Sequence, residues 1–588
     1  MDTTVTATRF DASEWLALWS KIAGQSQRLT RHYLENAKDA EHDLARLNAI
    51  IQSFQQAAMQ LLTDPGRVLA MQQAYFTEAS NLWLNALKAM SGQPAAKTPS
   101  SDKRFAAPEW QEQAIFDFIK NAYLLFAEHL QDSFGTIQGL PDKEQDKIRF
   151  YTRQFVSALS PSNFAATNPV VLKETVETGG LNLLRGFSNM LDDLERSKGR
   201  LNIKMTDLAA FTPGANVAST PGRVVFQNDL MQLIQYSPST EKVHKRPLLI
   251  LPPWINKFYI LDLRAKNSLV KWLVDQGHTV FLCSWANPEQ RHKDKGFEDY
   301  LKEGPLAALD AIEALTGEKE INALGYCLGG TLLTSALAYL AARNEKRIVS
   351  ATLLATLIDF SEPGELGVFI DEEQVALLEK QMHEKGVFSG RTMATSFNLL
   401  RENDLVWSYY VNNYLLGKEP MPFDLLYWNC DVTNLPAKMH IFYLRNMYLK
   451  NVFKNPGGVT LLDTPIDVRS IKVPTYFLST DQDHIALWRS TYSGARLFSG
   501  PTRFVLGGSG HIAGVINPAD STKYGYRTND ALPDTPAQWL SDAKEHEGSW
   551  WKDWGKWLAK QAGVKVAARV PVEGLEAAPG SYVLGKAD

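Results

Sequence analysis

The sequence predicts an α/β fold from about residue 206 onward: a mostly parallel sheet with helices on both faces and a large insertion late in the sheet. An all-helical region precedes it. Three observations predict this. Short apolar runs alternate with helix-forming runs between residues 247 and 356, the order of parallel strands joined by crossover helices. A Gly-x-Cys-x-Gly turn at 325–329 joins one of those strands to one of those helices. Two later strand signals, 473–479 and 503–506, each run into a loop containing Asp or Gly residues and a His.

The totals bound the class. The chain has 588 residues, 45% hydrophobic and 21% charged, enough for at least two soluble globular domains. A net charge of −4 gives no reason to expect nucleic acid. Three cysteines, Cys283, Cys327 and Cys430, argue against a disulfide framework and fit a reducing, cytoplasmic compartment. Met1-Asp2-Thr3-Thr4 lacks the basic-then-apolar order of a signal peptide, and no apolar run reaches the ~20 residues that span a bilayer. The aromatic load of 15 Trp, 20 Tyr and 27 Phe suits large apolar interfaces or an apolar ligand channel.

The elements follow in order. Trp15, Leu16, Leu18, Trp19 and Ile22, behind a cap at Asp11, and then Leu47, Ile50, Ile51, Phe54, Ala58 and Leu61, recur at helical spacing. Their faces are expected to pack in a core, or else against a partner or an apolar particle. Residues 91–103 (SGQPAAKTPSSDK) read as a linker, and further helices follow to about residue 198, giving a helical domain over 1–205. Strands are expected at 224–226, 233–236, 247–251, 279–284, 321–324 and 351–356, with helices at 268–276, 306–315 and 332–342. Residues 361–470 lack strand alternation and read as a cap inserted over the C-terminal edge of the sheet, where ligands bind in such folds. A Trp-dense helix spans 550–557, and little order is expected beyond Ala562.

The turn at 325–329 is the pattern of a nucleophile elbow with Cys in place of Ser. Cys327 would stand at a helix N-terminus, where the dipole favours an anion and helps lower the thiol pKa from roughly 8.5 toward neutrality. An α/β hydrolase takes its acid from a loop after a late strand and its base from the loop after the last, in the chain order nucleophile, acid, His. Thr480-Asp481-Gln482-Asp483-His484 and Gly507-Gly508-Ser509-Gly510-His511 stand at those places. His511 is the expected base. Asp483 is favoured as the acid over Asp481, with Asp359 as an outside candidate. The oxyanion donors are expected to be the backbone N–H of Leu328 and one from Trp254-Ile255-Asn256, chiefly Ile255, with Trp254 and Asn256 as candidate substrate contacts. A thiolate nucleophile exchanges readily with thioesters, which points to coenzyme A adducts. No metal or cofactor is expected, since the His and Cys residues lack ligand spacing and no G-x-x-x-x-G-K phosphate loop is present.

With those residues placed, the chain resembles the class I polyhydroxyalkanoate synthases of the α/β-hydrolase superfamily. The resemblance is carried by Pro252-Pro253-Trp254-Ile255-Asn256-Lys257, Gly325-Tyr326-Cys327-Leu328-Gly329-Gly330-Thr331, Asn403-Asp404-Leu405-Val406-Trp407, Pro422-Phe423-Asp424-Leu425-Leu426-Tyr427-Trp428-Asn429, Asp483-His484-Ile485 and Ser509-Gly510-His511-Ile512. It implies polymerisation of (R)-3-hydroxyacyl-CoA, by default with short side chains. Cys327 would hold the acyl chain as a thioester and His511 would deprotonate Cys327. Asp483 would either orient His511 or assist the hydroxyl of the incoming unit. It further implies a homodimer on intracellular polyester granules, among granule-associated proteins. A CoA thioesterase or lactone hydrolase would use the same three residues and end with water. A non-catalytic granule-coat protein would not need an elbow.

Overall fold

The structure, a computed structural model, describes residues 12–35, 40–93, 101–135, 137, 139–199 and 201–587. Asp11, most of the linker expected at 91–103, and the side chains of Trp15, Leu47 and Ile50 lie outside the described residues. The chain divides into two units, Met1–Asp207 with Asn398–Met421, and Leu208–Phe397 with Pro422–Asp588.

The first unit is helical. Its longer helices are Ala12–Glu35, Ala40–Leu62, Pro65–Met90, Ala114–Gly135, Asp142–Ala158 and Leu181–Arg196. Their starts follow local chemistry. The Asp64 carboxylate accepts from Arg67 N just ahead of Pro65, and Asn168 does the same for Val170 and Val171 ahead of Pro169. Leu18, Ile22 and Leu29 pack with Leu184 and Leu191, and Phe54 and Leu61 with Ile137 and Ile148. Leu16, Trp19 and Ile51, on the faces expected to pack in a core or else against a partner or apolar particle, are exposed. Residues 398–421, inside the insertion expected at 361–470, pack in this unit. Tyr414 donates from its hydroxyl to Asp193 at 2.7 Å, and Asn182 Nδ2 donates to Leu415 O at 2.8 Å.

The second unit is built on one sheet. Its strands in chain order are β1 Gly222–Gln227, β2 Met231–Tyr236, β3 Leu248–Leu251, β4 Val280–Trp285, β5 Ile321–Tyr326, β6 Ile348–Leu354, β7 Thr475–Thr480, β8 Thr502–Gly507, β9 Tyr526–Thr528, β10 Lys544–His546 and β11 Glu576–Ala577. Across the sheet the order is β10-β9-β8-β7-β6-β5-β3-β4-β2-β1-β11. The six strands β3 to β8 are parallel and the flanking pairs antiparallel. The order reverses at β3, between β4 and β5, so a crevice is expected beyond the C-terminal ends of β3 and β5.

The parallel strands are buried on both faces, and their alternate residues fill two cores. Leu249, Leu251, Ala323, Leu353, Phe477 and Phe504 point to one side. Leu248, Ile250, Leu324, Leu354, Leu478 and Val505 point to the other. The helix Trp551–Gln561 closes the second face, with Trp550, Trp551 and Trp554 fully enclosed.

The expectation of little order beyond Ala562 is corrected. Residues 565–567 pair with 242–244, β11 extends the sheet edge beside β1, and Val583 is buried. Val564, Val570, Val572, Leu575 and Leu584 stay exposed, and the segment is held instead by main-chain pairing to an edge that the strand signals leave open.

Candidate active site

Three loops meet at the C-terminal edge of the parallel strands. β5 is buried throughout its length and turns directly into the helix Leu328–Ala342. Cys327, between them, takes φ 52° and ψ −116°, a conformation costly for a residue with a Cβ. The surroundings enforce it. Cys327 N donates to Leu354 O at 2.8 Å, and Cys327 O accepts from Gly330 N at 2.9 Å. The turn is tight enough to require its glycines: a Cβ on Gly325 would lie 2.5 Å from Gly330 Cα, and one on Gly329 2.0 Å from Leu251 O. Cys327 is half-buried, whereas Cys283 is fully buried and burial pushes its thiol pKa up.

His511 and Asp483 come from the loops after β8 and β7. His511 Nδ1 lies 2.7 Å from Asp483 Oδ2, and both residues are buried. The second carboxylate oxygen accepts from Ile485 N and Ala486 N, each at 2.8 Å, and Gln482 N donates to Ser509 O at 3.0 Å, tying the two loops together. The charge of Cys327 acts on the His511 ring, which the Tyr326 hydroxyl ties to the elbow strand through His511 O. Because Nδ1 faces Asp483, Nε2 is the nitrogen left for the thiol. Burial by itself would lower the His511 pKa. The charges of Asp483 and Cys327 and the hydrogen bond to Asp483 outweigh it, so the pKa stands well above the ordinary imidazole value. The His511 loop is held from behind: Trp550 Nε1 donates to Gly514 O and Trp551 Nε1 to Val515 O, both at 3.0 Å.

The other carboxylates go elsewhere. Asp481 is exposed, and its main-chain N–H donates to Gly507 O at 2.9 Å. Asp359 pairs with Lys454 at 2.9 Å and accepts from Ser361 and Asn451.

Leu328 follows Cys327 as the first helical residue, so its N–H lies in the first turn, where backbone donors lack helical partners. The loop after β3 packs against this helix start, since a Cβ on Gly329 would also come within 2.7 Å of Pro252 O. Ile255 and Asn256 are half-buried, and Asn256 bridges to Val432. Trp254 does not suit its expected role as a substrate contact. Its side chain is 2% exposed, enclosed by Trp285, Phe297, Tyr300 and Tyr443, so it props the loop from within.

Three tyrosines at the site escape the sequence reading. Tyr326 stacks on His511 with ring centroids 5.6 Å apart and donates from its hydroxyl to His511 O at 2.9 Å. Tyr443 and Tyr448 pack on each other and on Phe360. Their phenol pKa values are raised by burial and, further, by the charge of Cys327. Tyr326 was adjacent to the elbow cysteine. The other two lie in the insertion, one at the end of the helix Ala437–Tyr443 and one in the π-helical turn Leu444–Leu449, with no spacing signal. Among the described residues no group of three or more His, Cys, Asp or Glu is placed to hold a metal ion, and no helix is long and apolar enough to cross a membrane.

Residues 101–273 match the family described as the N-terminus of poly-beta-hydroxybutyrate polymerase (PhaC), and residues 247–518 match the alpha/beta hydrolase fold. The chain is 47% identical over 573 residues to a poly(3-hydroxyalkanoate) polymerase of Methylorubrum extorquens, covering 96% of this chain and 93% of that one. It is 44% identical to a poly(3-hydroxyalkanoate) polymerase subunit of Rhizobium meliloti (97% and 92% covered) and 46% identical to one of Cupriavidus necator (89% of each). These matches run through the elbow, both late loops and the helical region alike, and the chain therefore belongs to the poly(3-hydroxyalkanoate) polymerase family, enzymes of the acyltransferase class on an α/β-hydrolase fold.

Proposed function

We propose that this enzyme polymerises (R)-3-hydroxyacyl-CoA, with short side chains such as 3-hydroxybutyryl, into polyhydroxyalkanoate through a Cys327-bound acyl thioester. The observation that carries the reading is Cys327 on its strained elbow beside the His511–Asp483 pair, 2.7 Å apart, which Tyr326 ties to the elbow strand at the edge of the parallel sheet. Cys327 sulfur attacks the thioester carbonyl, the carbonyl–CoA bond breaks, and the CoA sulfur takes the proton held by His511. The N–H groups of Leu328 and Ile255 receive the negative charge that builds on the carbonyl oxygen. The 3-hydroxyl of the next unit then attacks the Cys327 thioester and gives its proton to His511. An ester forms, the Cys327 sulfur leaves, and the chain, now one unit longer, ends in a CoA thioester on which the cycle repeats. Asp483 keeps Nδ1 protonated and holds the ring in register. Tyr443 and Tyr448 wall the site against water, which would otherwise take the place of the hydroxyl.

The same reading places the enzyme as a homodimer at the surface of intracellular polyester granules, with granule-associated proteins as neighbours and no cofactor. Its support is membership of the family. The test is to supply (R)-3-hydroxybutyryl-CoA and measure free thiol and insoluble polyester together. Both should rise in proportion. Thiol without polymer would leave a thioesterase, and neither product would refute the substrate.

A further inference from the structure

The loop after β3 carries more than Ile255. Two residues on, Lys257 is 2% exposed, and its ammonium donates to the carbonyl of Gly585 in the C-terminal segment. The Lys257 carbonyl accepts from Trp428 Nε1 at 2.6 Å. Beside it Asp431, also buried, accepts from Tyr259 Oη at 2.8 Å through one oxygen and lies 2.9 Å from Lys586 Nζ through the other. Lys586 O in turn accepts from Asn287 Nδ2 at 2.7 Å, in the loop after β4. On the other flank Ile255 O accepts from Thr433 N at 3.0 Å. Three distant stretches thus converge: the loop after β3, the end of the helix Asp424–Cys430 in the insertion, and the C-terminal segment.

Apolar contacts already seat this loop, since Trp254, Phe258 and Ile260 are buried in the two cores. A buried ammonium adds cost rather than cohesion unless its position matters. Burial indeed pushes the Lys257 pKa down to about 8, with Asp431 acting to raise it and Lys586 to lower it further. The nearest acceptor is a neutral carbonyl, and the carboxylate is held apart by Tyr259 and Lys586. Such an arrangement fixes a direction better than it adds stability.

We propose that Lys257, Tyr259 and Asp431 form a positioning cluster that aims the Ile255 N–H at the carbonyl under attack, with residues 585–587 as the clasp that closes it. The proposal rests on the reading of Cys327 as nucleophile and Ile255 as oxyanion donor. None of the three side chains touches the reacting atoms. Their effect passes through the backbone of the loop, and a small displacement of such a donor is enough to slow acyl transfer.

The test uses the full-length enzyme with (R)-3-hydroxybutyryl-CoA, following thiol release across substrate concentration for Lys257→Met, Tyr259→Phe and a Cys327→Ala control. Lys257→Met should lower kcat by about tenfold to hundredfold with KM and melting temperature near the parent's. Tyr259→Phe, which keeps the ring and removes one hydrogen bond, should lower kcat by about tenfold in the same manner. Parent kcat in both variants overturns the proposal. So does a loss of rate that tracks the fraction of unfolded protein, since that is stability and not aim. Should Lys257→Met fail to fold, Tyr259→Phe decides: reduced kcat with unchanged KM supports the cluster, and parent kcat refutes it. Thiol release that survives Cys327→Ala would instead remove the nucleophile reading, whatever the other two variants do.

Discussion

Asp481 and Asp483 are two residues apart, yet it is Asp483 whose carboxylate lies 2.7 Å from His511. In sequence both stood in the right loop, with Asp483 favoured. The turn separates them: Asp483 also accepts from Ile485 and Ala486 N–H, which fixes its carboxylate inward, while Asp481 is exposed. Asp483→Asn should therefore lower kcat by ~10²–10⁴-fold, in the range of lost acid–base catalysis, while Asp481→Asn stays near the parent rate in a thiol-release assay. The same pair makes a stability prediction. The His511 pKa is raised in the folded state, so its contribution is fully present below the unfolded value of about 6.5 and is lost as pH rises through the elevated folded value. The melting-temperature gap between parent and Asp483→Asn should be widest near pH 6 and shrink in the alkaline range. A gap that widens with alkali would contradict the assigned direction. At the elbow, Gly325→Ala should cost about 1–3 kcal/mol in denaturant unfolding, because its Cβ would meet the Gly330 backbone at 2.5 Å and neither chain can swing aside.

The elements that place these residues were legible to different degrees. β3, β5, β6, β7 and β8 announced themselves as short apolar runs because a parallel strand is buried on both faces. β9 and β10, three residues each and at most partly buried over most of their length, had no such signal, and β11 consists of two residues in a Pro- and Gly-rich stretch. Pairing with a neighbour makes them strands, and a single sequence does not record its neighbours. The Trp-dense helix was visible in sequence, but its purpose was not. Its indole N–H groups hold the carbonyls of Gly514 and Val515, immediately beyond His511. Trp550→Phe keeps most of the apolar bulk and leaves Gly514 O without that donor, so it should cost about 1–3 kcal/mol in a denaturation measurement. It should also lower kcat, since the loop it releases is the one that carries the base. Unchanged stability would mean the indole bond is dispensable.

For the molecule as a whole, the order of nucleophile, acid and base along the chain was the most informative feature of the sequence, because three loops had to agree with one topology. What it could not show was how distant segments combine. Residues 398–421 pack among the N-terminal helices through Tyr414–Asp193 and Asn182–Leu415, contacts between stretches more than 200 positions apart. The C-terminal segment makes the same kind of long-range contact, with the loop after β3 through Gly585 and with Asp431 in the insertion through Lys586. Tyr443 and Tyr448, whose phenols feel the charge of Cys327, come from the insertion, where aromatic residues were abundant and no spacing distinguished two of them. The central claim is that Cys327 carries the growing chain. Enzyme mixed with (R)-3-hydroxybutyryl-CoA, quenched in acid within a turnover and digested, should yield the Cys327 peptide bearing one or more hydroxybutyryl units in a hydroxylamine-labile bond, and Cys327→Ala should yield neither adduct nor polymer. Polymer formed by Cys327→Ala, or by the parent with the Cys327 peptide unmodified at every quench time, would contradict it.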